Sequence, residues 1–284
     1  MILSRREFGV AAAVSLIAPH SLRAGQASSD LSALTPEQRE QFKASHARMM
    51  AAFPYEQVRV AGSGALAEWE QRSALPGKIP VVIGDAEQLE RLADQFSIDD
   101  ETIYGSGNRR PPSVSDILAA ASKLKFPRDL GKWPGAYTDA DLMAALGERP
   151  DAIPKADRPG LTVATDLATG KPLSEVYLLM LPARASWEAP AYLRWGNWNA
   201  CPPAEYHVAA LKRWHERFGA ELIGIDADTM NVRVKRRPAS REEALALADE
   251  QYRYCPDIID QGVGSRSALA ASLMASDWWF FWWD

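Results

Sequence analysis

Two cysteines and two histidines in the C-terminal half are the side chains best suited to chemistry. Cys201 and Cys255 each precede a proline, and His207 and His215 lie eight residues apart on a predicted helix. A thiol enzyme needs a cysteine, a histidine that activates it and an acid that orients the histidine. Asp257 would supply that acid. The candidate catalytic set is therefore Cys201, His207, His215 and Asp257.

The two cysteines also have interpretations that involve no catalysis. Free cysteines are often small buried hydrophobic residues, and in an exported protein Cys201 and Cys255 can form a disulfide. The sequence leaves the core thiol, the disulfide and the nucleophile open. Metal-binding helices space their histidines three or four residues apart, and the spacing of residues 201, 207, 215 and 255 matches no zinc finger or ribbon. We predict no metal site and no cofactor.

Tryptophans suggest a different kind of site. The chain has 10 Trp beside 8 Tyr and 8 Phe. Trp195 and Trp198 can stack against a sugar or a peptide, while the amides between and after them supply hydrogen bonds. The alternative is that the rings fill a hydrophobic core. The candidate ligand-binding residues are Trp195, Asn197, Trp198 and Asn199.

The chain ends in the aromatic string WWFFWWD, residues 278–284. In a strand alternate side chains point to opposite faces, so both faces of this segment would be apolar. That pattern is typical of a central strand covered on two sides. We therefore expect the terminal strand to be buried in the core.

The elements that must position these residues are a mixture of helices and strands. Pro203 to Phe218 predicts a helix, and Glu221 to Asp226 with Thr229 to Lys235 predicts an antiparallel hairpin. Ser240 opens a capping box for a helix that Pro256 must stop near Cys255. We predict an α+β fold, in which a mixed or antiparallel sheet is flanked by helices. Further predicted strands are 58–61, 80–84 and 176–181. Further predicted helices are 31–52, 86–96, 139–146, 267–275 and one that begins near 113 or 115 and ends near 124.

Gly62-Ser63-Gly64 follows a predicted strand and precedes a helix, with Asp85 about 20 residues farther on. This is the layout of a dinucleotide-binding fingerprint. The first strand is polar, however, and no further βαβ units are evident. A plain turn is the better interpretation.

The N-terminus predicts export. Ser4-Arg5-Arg6-Glu7-Phe8 precedes an apolar stretch from Gly9 to Ala18, which resembles a twin-arginine signal with cleavage near Ala27. We expect a periplasmic or secreted protein divided into a signal peptide (1–27), an N-terminal α/β region with a Pro/Gly-rich connection (28–172) and a C-terminal domain (173–284). No apolar run approaches the ~20 residues that span a bilayer, so the mature chain should have no stable membrane span. The net charge of −5 disfavours nucleic acid as a partner.

Several C-terminal strings resemble a known family. They are WGNWNACP (195–202), WHERFGAEL (214–222), REEALALA (241–248), YCPD (254–257) and the terminal WWFFWWD (278–284). They are similar to a bacterial family known as domain of unknown function 4253, most strongly over residues 174–284. That name supplies no activity, so the resemblance implies no substrate and no catalytic residue.

Two functional hypotheses follow from these patterns. The first is a non-catalytic binding or interaction module whose partner is a small molecule, a glycan or a protein. The alternative is an extracytoplasmic hydrolase or thiol-dependent enzyme that uses the Cys/His/Asp set. The exposure of Cys201, Trp195 and Trp198 separates the two hypotheses.

Overall fold

The computed structural model describes residues 34–138, 140, 142 and 160–283. The predicted export signal and all but two residues of the helix expected at 139–146 lie outside these ranges. Within them, a six-stranded mixed sheet has the strand order β1-β5-β2-β6-β7-β8. A separate two-stranded ribbon pairs β3 with β4. The strands are β1 Glu56–Val60, β2 Ile79–Gly84, β3 Thr165–Asp166, β4 Lys171–Pro172, β5 Val176–Leu181, β6 Glu221–Ile225, β7 Thr229–Arg233 and β8 Trp278–Trp282.

The helices pack on both faces of this sheet, so the predicted α+β class is confirmed. They are α1 Pro36–Ala52, α2 Ala65–Ser73, α3 Ala86–Ser97, α4 Glu101–Tyr104, α5 Val114–Lys123, α6 Ala189–Leu193, α7 Ala204–Phe218, α8 Arg241–Tyr254 and α9 Arg266–Ala275. The larger core joins one face of the sheet to α3, α7, α8 and α9. A smaller core joins the opposite face to α2 and to the segment 161–173.

Strands from both halves of the chain interleave in the sheet. β5 lies between β1 and β2 and is antiparallel to both. β2 then pairs with β6 through Val82 and Gly224, and this is the parallel contact of the sheet. The regions predicted at 28–172 and 173–284 therefore share one sheet.

Helix ends follow the local chemistry of the sequence. The side chain of Ser240 accepts a hydrogen bond from the backbone of Glu243, so the predicted N-cap is present. The capping box is not completed in the expected way, because the Glu243 carboxylate accepts from the N–H of Ala239 and from Arg236. An N-cap side chain of this kind stabilises a helix by about 1 kcal/mol.

The Gly62–Gly64 segment is a structural turn. The N–H of Gly62 donates to Leu173 O at 3.1 Å, and a Cβ at Gly62 would lie 2.4 Å from that oxygen. Glycine is needed here because another backbone approaches so closely. The contact explains the first glycine of the Gly-Ser-Gly sequence without a bound dinucleotide.

The terminal strand is buried on one face only. Trp279, Phe281 and Trp283 are sealed in the larger core, as expected for an aromatic strand. The expected central position is wrong, however, because β8 pairs with β7 alone and forms an edge of the sheet. Its other face, which carries Trp278, Phe280 and Trp282, is half-buried. Apolar alternation cannot distinguish a central strand from an edge strand whose second face is partly covered.

Candidate functional site

The loop between α6 and α7 has an unusual backbone. Arg194, Asn197 and Asn199 have φ values of 51°, 70° and 45°, and they are all the non-glycine residues with positive φ in the described chain. Gly196 adds a φ of 106°. The loop is closed by a hydrogen bond from the N–H of Asn197 to Pro202 O at 2.9 Å. Left-handed backbone costs most residues roughly 1–2 kcal/mol, and asparagine tolerates it best.

This backbone turns the two loop tryptophans inward. Trp195 is 0% and Trp198 6% exposed, with their ring centroids 4.8 Å apart. The indole N–H of Trp195 donates to Asp226 O at 2.7 Å, which fixes the ring under the loop. Of the two interpretations of these tryptophans, the structure supports the hydrophobic core, and Trp195 and Trp198 form no aromatic platform. Asn197 and Asn199 point outward and are exposed.

Cys201 and His207 do meet beneath the loop. Cys201 Sγ lies 3.5 Å from His207 Nε2, and His207 Nδ1 lies 2.5 Å from the Tyr254 hydroxyl. Both members of the pair are sealed, Cys201 being 1% and His207 0% exposed. Burial lowers the pKa of His207 to about 3, so the imidazole is neutral at physiological pH. A nucleophilic thiol needs access and a nearby positive charge, and this pair has neither.

The other residues of the predicted catalytic set lie elsewhere. His215 Nδ1 is 3.0 Å from Ala220 O, where α7 ends, and Asp257 accepts a hydrogen bond from Gln261. Cys255 donates its thiol proton to Trp282 O at 3.0 Å, and burial raises the pKa of this thiol well above its usual value. Both cysteines are free thiols, so the possible Cys201–Cys255 disulfide is not formed. Each sulfur is instead satisfied by its own buried partner.

A carboxylate turn beside the loop was not singled out from the sequence. It connects β6 to β7 and contains Asp226 and Asp228. One oxygen of Asp226 accepts the N–H groups of Asp228 and Thr229, at 3.0 and 2.9 Å. Asp228 Oδ2 accepts from Arg91 at 3.3 Å. Burial, followed by the charge of Asp228, raises the pKa of Asp226 to about 7.

The sheet topology determines where this turn lies. β2 and β6 are parallel, so their carboxyl ends meet at one edge, where ligands commonly bind in α/β sheets. Three side chains of α3, which directly follows β2, face the turn. Gln95 donates to Ala227 O at 2.6 Å, Gln88 accepts from Ala227 N at 3.4 Å, and Arg91 binds Asp228.

The buried indole of Trp195 links the loop to the turn, because its N–H donates to Asp226 O. We call the linked region the strand-end site: residues 194–199, residues 226–229 and the side chains of Gln88, Arg91 and Gln95. Sequence patterns identified the loop. The only signal for the turn was an Asp-Ala-Asp string directly after a strand.

The strand-end site lies largely within a recognised family region. Residues 177–284 match the family model described as a domain of unknown function (DUF4253). The match includes the loop, the turn and β8, while α3 lies outside it. No curated protein and no solved structure matches the chain.

Within residues 34–138, 140, 142 and 160–283, no cluster of three or more His, Cys, Asp or Glu side chains is arranged to hold a metal ion. None of the helices in that part of the chain has the length and apolar character needed to cross a membrane.

The first prediction concerns the packing of the loop against its base. In Gly196→Ala the new Cβ would lie 2.1 Å from Pro202 O and 2.6 Å from His207 Nε2. The matched control is Gly77→Ala, whose φ is 98° but whose Cβ would meet nothing within 4 Å. We expect the Gly196 variant to lose about 1–3 kcal/mol more unfolding free energy than the control. If urea denaturation gave equal losses of unfolding free energy for the two variants, the loop would be able to shift and accommodate the new Cβ without cost.

The second prediction concerns the proton on Asp226. Its pKa is about 7 in the folded state and 3.8 in its ordinary state, so the folded protein binds the proton more tightly. The resulting stability is fully present below about pH 4 and is lost as the pH rises through 7, with a slope of at most ~1.4 kcal/mol per pH unit. Asp226→Asn should lack this pH-dependent component, because an amide does not titrate in this range. The turn itself should persist, because the amide oxygen still accepts both N–H groups.

Thermal unfolding of wild type and variant between pH 4 and 8 measures the difference. Asp228→Asn is a further variant to measure. Removing the charge of Asp228 should lower the pKa of Asp226, so the loss of stability should occur at lower pH. Parallel pH profiles for the wild type and Asp226→Asn would contradict the assignment.

Proposed function

We propose that the protein is a non-catalytic binding module that recognises a polar partner at the strand-end site. The observation that carries this proposal is the concentration of left-handed residues in the loop. Arg194, Asn197 and Asn199 account for every positive-φ residue other than glycine in the described chain. Such conformations persist where surrounding structure enforces them, and they cluster at ligand clamps and active sites.

The packing under the loop supports a preorganised binding surface. Trp195 contacts Trp198, His207 and Trp283 at centroid distances of 4.8, 4.8 and 5.4 Å. A base packed in this way supports the backbone that carries the exposed Asn197 and Asn199, and the N–H of Asn197 is bonded to Pro202 O. A ligand then binds without the entropy cost of ordering the loop.

The chemistry of the site favours a partner rich in hydroxyl, amide or charged groups. Two asparagine amides supply donors and acceptors, while Asp226 and Asp228 supply carboxylates beside the Arg91 guanidinium. A glycan, a polar small molecule or a polar protein segment offers the matching groups. An apolar ligand would leave these groups unsatisfied, which costs affinity.

The thiol-enzyme alternative receives less support from the same region. Cys201 and His207 are in contact, but the tryptophans, Tyr254 and the loop backbone enclose them. A substrate could reach the thiol only if the loop opened. The polar side chains of the strand-end site, by contrast, are accessible in part: Asn197 and Asn199 are exposed, and Asp226 and Asp228 are half-buried.

The binding prediction removes the two amides while preserving the backbone. Asn197→Gly/Asn199→Gly keeps residues that tolerate positive φ, so the unfolding free energy should change little. The matched control is Asn108→Ala, which removes an exposed asparagine amide outside the strand-end site. The probes are a panel of soluble oligosaccharides and a panel of polar peptides, and their binding is followed by ¹H–¹⁵N NMR.

We expect at least one probe to shift the side-chain amide signals of Asn197 and Asn199 in the wild type and in Asn108→Ala. The double glycine variant should lose that probe's binding while keeping its fold. Binding that survives in the double glycine variant would place the site elsewhere. Shifts confined to distant residues would do the same.

We also propose that the protein is exported to the periplasm or secreted, and Arg5 with Arg6 carries this proposal. The twin-arginine route depends on the paired guanidinium groups. Arg5→Lys/Arg6→Lys keeps the charge and should retain the precursor in the cytoplasm, whereas Arg23→Lys should not. Cell fractionation measures the outcome, and equal export of both variants would refute the assignment.

A further inference from the structure

The backbone of the terminal strand exposes alternate residues at the edge of the sheet. In the β7–β8 ladder the N–H of Val234 donates to Asp277 O, and the N–H of Trp283 donates to Asp228 O, at 2.8 and 3.1 Å. These hydrogen bonds assign odd-numbered residues of β8 to the ladder, because bonded and non-bonded pairs alternate in antiparallel strands. The backbone groups of Trp278, Phe280 and Trp282 therefore point away from β7.

Two of these six outward groups already have partners. The N–H of Trp278 donates to Ser276 Oγ at 3.1 Å, and Trp282 O accepts the thiol proton of Cys255 at 3.0 Å. No described residue pairs with the four other groups, which are the carbonyl of Trp278, both groups of Phe280 and the N–H of Trp282. Unpaired groups on an edge strand are a template for another strand.

We infer that β8 pairs in antiparallel fashion with β8 of a second copy of the chain, about a two-fold axis at Phe280. In this register Phe280 faces its own counterpart and exchanges two hydrogen bonds with it. The N–H of Trp282 donates to Trp278 O of the second copy, and the reciprocal bond forms by symmetry. The four unpaired groups of each chain are all satisfied.

The two groups with intramolecular partners fit the same register. The N–H of Trp278 falls opposite Trp282 O of the second copy, and each is already bonded within its own chain. No group is left unpaired, and none has to exchange its partner. A register shifted by two residues would set unpaired groups of one chain against bonded groups of the other.

The side chains favour a second copy as the occupant. Pairing about Phe280 places Phe280 against Phe280 and each Trp278 against a Trp282, and aromatic cross-strand pairs stabilise sheets. A two-fold interface uses the same patch on both chains. These three side chains form the half-buried face of β8, which a second sheet would extend across the interface.

The opposite edge of the sheet lacks these properties. β1 carries Glu56 and Arg59, which form ion pairs with Lys78 and Glu175. Charged side chains are a common protection of edge strands against pairing. β8 contains only aromatic residues, so ion pairs of this kind protect the edge at β1 and not the edge at β8.

The test removes one N–H from the proposed interface. Phe280→Pro deletes an N–H that points away from β7, and proline is tolerated at such edge positions. Phe280→Leu keeps the N–H and is the matched control. A semisynthetic chain with N-methylated Phe280 removes the same hydrogen while keeping the ring, and it decides the question should Phe280→Pro fail to fold.

Sedimentation equilibrium across the micromolar range should show a dimer for the wild type and for Phe280→Leu. Phe280→Pro and the N-methylated chain should raise the dimer Kd at least about tenfold, because two hydrogen bonds per dimer are lost. Hydrogen exchange gives an independent readout. The amides of Phe280 and Trp282 should gain protection with protein concentration, while Trp279 and Phe281, held by β7, should not.

A wild-type chain that stays monomeric throughout would overturn the inference. A dimer that the N-methylated chain forms with unchanged Kd would also overturn it, since association would then use another surface. The inference does not depend on ligand binding at the strand-end site, so either proposal can fail alone.

Discussion

The parallel contact between β2 and β6 is the constraint on which the rest of the structure depends. It joins the strands β1, β5 and β2 to the meander β6–β7–β8 through Val82 and Gly224. The contact is covered so closely that a Cβ at Gly224 would lie 2.5 Å from Val163 Cγ2. Because the two strands run in the same direction, the turn after β6 meets the helix after β2. The strand-end site exists only because of that direction.

The buried tryptophans of the larger core fill it with apolar surface, but they also bring polar indole N–H groups into it. Trp195, Trp214 and Trp283 are each almost completely buried, and every buried indole brings an N–H into the core. Trp195 donates to Asp226 O, and Trp214 donates to the Glu250 carboxylate at 2.7 Å. The indole nitrogens of Trp279 and Trp283 have no hydrogen-bond partner among the described residues. Each unmade bond of this kind costs about 1–3 kcal/mol, so the cluster is retained for its apolar burial.

The features that the sequence predicted well are local. Ser240 and Pro256 bound α8 because a cap and a proline act within one turn of a helix. The β6–β7 hairpin and the burial of the strand 80–84 follow from short apolar patterns. Cys201 and His207 are six residues apart, and their contact could be proposed for the same reason. Their burial could not, because it depends on Trp195, Tyr254 and Trp283, which come from three separate elements.

The features that the sequence missed depend on where distant segments meet. The composition of Trp195 and Trp198 suits a binding platform and a core equally well. The φ angles of the residues between them decide which one forms, and no periodicity encodes those angles. Asp226 appears in the sequence as an ordinary turn residue. Its raised pKa arises because burial of the turn and the neighbouring Asp228 disfavour its charge.

The terminal strand depends both on its local sequence pattern and on where distant segments meet. Its odd-numbered residues complete the core and bind β7, which the aromatic composition makes favourable. Its even-numbered residues cannot then be buried by the same core, because alternation sends them to the opposite face and their backbone groups to the open edge. A charge at Trp278 would remove an aromatic side chain that packs against the smaller core. Pairing with an identical edge removes the conflict, since it satisfies the backbone and packs the aromatic side chains of the two chains beside each other without altering the residues that face the core.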